Sequence, residues 1–259
     1  MSDAAIADVG DGANDATNGI DLHERRERVF LVLAGFFLCA MTMLNILGIT
    51  RFIQLGPLSL AVGVLPYPLT FLCTDLISEL YGRARANFLV WVGLGLNFFI
   101  LAFMWLGNAL PAGDAQAPWQ ALTLAQEIST PSGATLSGQI ELFTLIYACT
   151  SGAVFASMLA YIAAQFCDVQ LFHFFKKLTR GKHLWLRNNF STLISQMVDS
   201  FMVITVTFGA AYLAGDFTVG ALFGLMVSNY GFKMVVALLD TIPFYYLTHK
   251  LRRYLQIDT

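Results

Sequence analysis

Residues 86–113 read ANFLVWVGLGLNFFILAFMWLGNALPAG, without one charged side chain, directly after Arg83 and Arg85. A helix rises about 1.5 Å per residue, so roughly 20 such residues cross the ~30 Å hydrocarbon core of a bilayer. The same absence of charge recurs at residues 29–50, 52–74 and 142–167. Residues 188–215 contain only Asp199, and residues 217–249 only Lys233 and Asp240. Six spans are the simplest count, at about 29–49, 61–81, 87–107, 141–167, 190–213 and 218–248. The expected fold class is an all-α integral membrane protein, a single bundle of about six transmembrane helices. With 57% hydrophobic and 12% charged residues, the whole chain lies outside the range of soluble domains.

Charge at the span ends sets an orientation, because Lys and Arg are retained on the cytoplasmic side. Arg25, Arg26 and Arg28 precede span one, and Arg83 and Arg85 separate spans two and three. Lys176, Lys177, Arg180, Lys182 and Arg187 separate spans four and five, and Lys250, Arg252 and Arg253 follow span six. The opposite side receives only Arg51, so both termini are expected in the cytoplasm. Residues 1–22 carry five aspartates among Ala, Gly and Asn and read as a disordered acidic tail, with residues 23–255 forming the membrane domain. Such a start is not a signal peptide, which opens basic.

The basic residues are explained by topology and form no nucleic-acid motif. Cys39, Cys73, Cys149 and Cys167 fall within the spans at unrelated spacings, which suits buried thiols and implies no metal site or disulfide framework. No cofactor motif is present; in particular there is no Gly-x-x-x-x-Gly-Lys-Ser/Thr nucleotide loop.

Span two carries Pro66, Tyr67 and Pro68, so its outer half is expected to be bent or unwound. Irregular backbone at membrane depth is tolerated where it is buried in protein or lines a cavity, the simpler alternative being a tilting kink. Residues 119–129 show a weakly helical pattern. Residues 169–187 alternate aromatic and basic side chains, as expected of an amphipathic segment in the interface. Three spans followed by three more place the halves in opposite orientations, as in inverted-repeat transporters, with Asp75 and Asp199 at corresponding positions. Gly220 and Gly224 form a small-xxx-small pair that permits close helix packing within the chain or in a homo-oligomer.

An ionisable side chain inside a bilayer costs at least ~2.5 kcal/mol and normally faces the bundle interior or a wet cavity. Thr192, Ser195, Gln196 and Asp199 in span five form a stripe on one helical face that ends at mid-membrane. Span six adds Asn229, Lys233 and Asp240; span two adds Asp75 and Glu79, the latter expected to pair with Arg83 at the cytoplasmic end. Lys233 and an aspartate as a structural ion pair is the plain alternative to a ligand site. One lysine cannot neutralise Asp75, Asp199 and Asp240 together, however, so either a carboxylate is protonated or a ligand or ion supplies donors. Asn45 either faces the same interior or bridges helices.

Asn45, then Pro68 with Phe71, Leu72, Thr74, Asp75 and Leu76, and Tyr81 with Gly82, resemble the signature of the bacterial queuosine precursor transporters, a family also described as vitamin uptake transporters. Gln165, Asp168, Val169 and Phe172, then Ser191, Thr192, Leu193 and Asp199, then Phe232, Lys233 and Pro243 extend the resemblance over residues 28–250. It implies import of 7-cyano-7-deazaguanine and 7-aminomethyl-7-deazaguanine across the inner membrane for transfer RNA modification. The resemblance and the residue chemistry together nominate Asn45, Tyr67, Asp75, Thr192, Gln196, Asp199, Asn229, Tyr230 and Lys233 for substrate contact. Glu79, Arg83, Asp168 and Asp240 are the candidate structural or coupling charges.

Competing readings are a substrate-binding membrane subunit with a separate energising partner, a carrier of another vitamin-like heterocycle, and an intramembrane aspartyl hydrolase. The last fits poorly, because the aspartates stand in Thr74-Asp75 and Val198-Asp199 rather than in Tyr-Asp and Gly-x-Gly-Asp.

Overall fold

The structure, a computed structural model, describes residues 4–48, 50–56, 58–111, 113, 117–130, 135–179, 184–215 and 218–257. Among the described residues six helices carry the fold: α1 (Ala4–Leu47), α2 (Tyr67–Tyr81), α3 (Arg83–Ala109), α4 (Leu142–Leu178), α5 (Leu184–Leu213) and α6 (Val219–Tyr254). Five are long and apolar enough to cross a membrane, over Asp21–Leu47, Ala84–Ala109, Leu142–Ala164, Thr192–Leu213 and Val219–Tyr254. Large apolar side chains stand exposed along them, among them Trp91, Phe99 and Phe103 on α3 and Ile242 and Tyr246 on α6. Exposure on this scale fits a hydrocarbon solvent rather than water.

The exception is α2. Its 15 residues span only about 22 Å, so the expected helix over 61–81 begins at Tyr67. Pro66 caps it and Pro68 sits in the first turn, where a missing N–H leaves no hydrogen bond unmade. Helix α2 is preceded by an antiparallel hairpin of β1 (Phe52–Leu55) and β2 (Leu58–Ala61) and a 3-10 turn at Val62–Val64. The hairpin satisfies backbone groups internally; β2 packs against α6, with Leu60 only 2% exposed, and the 3-10 turn packs against α1. Gly63 makes this packing possible: a Cβ there would lie 2.5 Å from the Gly48 Cα, and the Gly63 N–H donates to the Gly48 carbonyl at 3.2 Å.

Three further expectations are corrected. Helix α1 reaches back to Ala4, so residues 4–22 are helical rather than irregular; extension of an existing helix through alanines needs no new nucleus. Residues 169–178 continue α4 instead of forming a separate interfacial segment, and Phe175 of α4 meets Phe190 of α5 at 5.9 Å between ring centroids. Within residues 119–129 the structure has strands, not a helix: β3 (Ala121–Thr123) pairs with β6 (Gln139–Glu141) and β4 (Ile128–Ser129) with β5 (Thr135–Leu136). Pairing with a partner strand outcompetes a helix too short to nucleate alone.

The apolar core joins α1, α2 and α3 through Phe37, Met41, Cys73, Ile77 and Leu89, and a second cluster joins α3 and α4 through Leu94, Val154 and Met158. Gly82, at φ +83°, ends α2 and lets α3 start at the next residue. At that end of the bundle the Tyr81 hydroxyl donates to the Arg26 carbonyl at 2.7 Å, Arg26 donates to the Leu255 carbonyl at 3.3 Å, and Arg252 pairs with Glu79. A Cβ at Gly224 would meet nothing within 4 Å among the described residues, and one at Gly220 only the Thr218 hydroxyl at 4.0 Å.

Candidate functional site

Parts of all six helices and the β1–β2 hairpin enclose a cavity of about 340 Å³. Phe52, Leu60, Gly63 and Val64 border it at the hairpin end, where the Phe52 and Phe208 rings approach to 6.4 Å. The stripe on α5 becomes one wall, because Thr192, Ser195, Gln196 and Asp199 recur at helical spacing and all face inward. Val203, Ile204 and Thr207 continue it.

At the centre of that wall a charge cluster forms. Lys233 of α6, 5% exposed, donates to Asp199 Oδ2. The Tyr67 hydroxyl lies 2.8 Å from the same oxygen and 2.9 Å from Gln196 Oε1, and one phenolic proton serves one of these acceptors at a time. Lys233 Nζ also stands 4.0 Å from the Tyr67 ring centroid, a cation–π distance. Both bonds to Asp199 fall on Oδ2, and Oδ1 accepts nothing from the described residues. The buried carboxylate is thus neutralised while keeping one oxygen available to the cavity.

Asp75 lines the cavity from α2 beside Thr70, Thr74 and Ser78, and Asn229 lines it one turn before Lys233. Asn45 does both things expected of it: it lines the cavity and donates to Asn97 Oδ1 of α3 at 2.6 Å. Its own Oδ1 is buried without a partner among the described residues, as is the hydroxyl of Tyr161 on α4.

Eight of the nine nominated contact residues, Asn45, Tyr67, Asp75, Thr192, Gln196, Asp199, Asn229 and Lys233, therefore border one cavity. Tyr230 does not: it lies about 100° around α6 from Asn229 and is absent from the lining, where Phe71 and Tyr161 stand instead. Glu79 lies outside the cavity and pairs with Arg252 of α6. Gly82 separates Glu79 on α2 from Arg83 at the start of α3. The side chains of Arg83 and Asp168 lie outside the described residues. Asp240 borders a smaller void beyond Lys233. Ser157, Tyr161 and Asn97 were missed by sequence reasoning; polar residues four apart in span four were the available signal for the first two.

No solved structure matches the chain. A protein of Bacillus subtilis (strain 168) named "Probable queuosine precursor transporter" is 27% identical over 208 residues, which cover 79% of this chain and 78% of that one. The model of the family described as "Putative vitamin uptake transporter" matches residues 61–248, which run from the end of the hairpin through the cavity-lining parts of α2 to α6. The chain is a multi-pass membrane protein and belongs to the Putative vitamin uptake transporter family.

Proposed function

We propose that the chain imports 7-deazaguanine precursors of queuosine, 7-cyano-7-deazaguanine and 7-aminomethyl-7-deazaguanine among them, across the bacterial inner membrane, with both termini in the cytoplasm. The observation that carries the reading is Asp199: a neutralised, buried carboxylate with a free oxygen facing a cavity of about 340 Å³. That volume is within the range of small-molecule sites. A guanine-like edge offers two adjacent N–H donors that one carboxylate accepts together. Asn45 or Gln196 serves the ring carbonyl, and Tyr67 and Phe71 supply aromatic surface. The substrate class is taken from the name of the Bacillus relative and from the family resemblance.

The test is uptake of labelled 7-cyano-7-deazaguanine into vesicles reconstituted with the purified chain alone. Saturable uptake is expected, and Asp199→Asn should weaken binding by about 30-fold to several thousand-fold, the loss typical of a truncated buried charge contact. An analogue lacking the exocyclic amino group should bind the parent poorly and barely distinguish it from Asp199→Asn. Equal losses for both ligands would remove Asp199 from substrate contact. Binding without uptake would instead favour a subunit that needs an energising partner. A cysteine at Lys182 should resist impermeant labelling from outside the cell, and its labelling would overturn the orientation.

A further inference from the structure

Asn45 of α1 and Asn97 of α3 are 2% and 0% exposed and are joined by one hydrogen bond, from Asn45 Nδ2 to Asn97 Oδ1 at 2.6 Å. The bond leaves two open atoms of opposite kind. Asn45 Oδ1, an acceptor, and Asn97 Nδ2, a donor, are buried with no partner among the described residues. Each carries a desolvation cost that calls for an explanation. Asn45 borders the cavity, whereas Asn97 stands behind it, outside the lining. The open atom of the pair that a ligand can meet is therefore the one on Asn45.

What Asn45 offers the cavity is reversible. An amide side chain carries its acceptor oxygen and its donor nitrogen at nearly equivalent positions. When both amides make half a turn about their terminal torsions, Asn97 Nδ2 donates to Asn45 Oδ1, and the open atom on Asn45 becomes Nδ2. The count is unchanged, with one bond made and one donor and one acceptor open, so the two arrangements are close in energy. Asn45 is held in place in both. A carboxylate partner only accepts and an ammonium partner only donates, so either would fix Asn45 in one polarity; an amide partner follows it.

We infer that Asn45, held by Asn97, is the contact for the 7-substituent of the substrate, and that reversal of the pair lets one site take substituents of opposite polarity. This rests on the reading of Asp199 as the acceptor of the guanine-like edge. With Asp199 on the two N–H donors and Gln196, one turn before it on α5, on the neighbouring ring carbonyl, Asn45 on α1 is left for another part of the ligand. The 7-cyano and 7-aminomethyl compounds share their ring and differ at that substituent alone. A nitrile nitrogen only accepts, and an ammonium only donates. Asn45 Nδ2 serves the first and Asn45 Oδ1 the second, and neither breaks the bond within the pair. A contact of fixed polarity would leave a buried group unpaired for one of the two ligands and reject it. Asn97 acts through Asn45 and is a positioning residue.

The test measures the affinity of the purified full chain for three probes: 7-cyano-7-deazaguanine, 7-aminomethyl-7-deazaguanine and unsubstituted 7-deazaguanine. The parent should bind the two substituted probes more tightly than the third. Asn45→Leu should weaken both by about 10- to 100-fold, the loss of one buried polar contact, and leave the third nearly unchanged. Asn97→Leu should give the same pattern with a smaller loss. Equal losses for all three probes would make the pair a tie between α1 and α3 and nothing more, and a loss for one substituted probe alone would mean a contact of fixed polarity; either result overturns the inference. A second measurement needs no variant. The nitrile stretching band of bound 7-cyano-7-deazaguanine should lie where hydrogen-bonded nitriles absorb, and a band typical of apolar surroundings would equally end the proposal. Binding of none of the three probes by the parent would overturn the function proposed above, and this inference with it.

Discussion

Helices α2 and α6 both border the cavity, yet they are held in opposite ways. Along the 15 residues of α2, Thr70, Cys73, Leu76, Ile77 and Leu80 are buried, and Cys73 and Ile77 join the apolar cluster with α1 and α3. Along the 36 residues of α6 the fully buried residue is Lys233. Helices gain no hydrophobic energy by meeting one another in lipid, so a membrane helix can be retained by a few polar contacts while its apolar side chains face the tails. For α6 those contacts are Lys233 to Asp199 in the middle and Arg252 to Glu79 near the end. The short helix is held by a packed apolar face; the long one meets its neighbours with a single fully buried side chain, and that side chain is charged.

The contrast breaks most sharply at the pin. Lys233→Met leaves Asp199 buried with only the Tyr67 hydroxyl, and the loss should be ~3–5 kcal/mol, as for other broken buried pairs. Folded yield in detergent reads it, and Lys233→Met that is folded and transports like the parent would dissolve the contrast. Next comes the packed helix: Ile77→Ala, at a position 0% exposed, should cost ~2–4 kcal/mol through the space left behind. Leu239→Ala on α6, 59% exposed, should cost less than about 0.5 kcal/mol. Paired thermal unfolding curves compare the two, and equal shifts would mean that α6 is packed as tightly as α2.

Gly63→Ala sharpens the view of the hairpin end. The added methyl would meet the Gly48 backbone at 2.5 Å, which cannot yield as a flexible side chain would, and the strain should be ~1–3 kcal/mol. A parent-like melting temperature would show that the hairpin yields. The smallest effect is expected for Glu79→Gln, because the pair with Arg252 is nearly a third exposed; about 1 kcal/mol or less should be lost, and a larger fall would make the end pin equal to the central one.

Much of this arrangement was legible before folding. The α5 stripe from Thr192 to Asp199 lines the cavity because helical periodicity alone puts those residues on one face. Tyr230 is off the lining although Asn229 is on it: each step along α6 turns the side chain by about 100°, and adjacency in sequence does not say which neighbour stays on the wall. The pair of Glu79 with Arg252 was not legible, because it joins residues 173 positions apart on α2 and α6. Residues 119–129 became strands through pairing with residues 135–141, a non-local choice that a local helical pattern does not report.

What the sequence determined by itself was the solvent and the crossings. Hydropathy and charge are local properties, and backbone that faces lipid must satisfy its hydrogen bonds within itself, which favours helices over most of these runs. Which aspartate holds Lys233, which arginine holds Glu79 and which structure precedes α2 were decided by tertiary structure. Asp75, Asp199 and Asp240 are equivalent acids in the sequence. They differ only once packing puts Asp199 against Lys233 and Tyr67, sets Asp75 in the cavity wall and leaves Asp240 across a water-sized void, because electrostatic partnership depends on distances that no linear pattern contains.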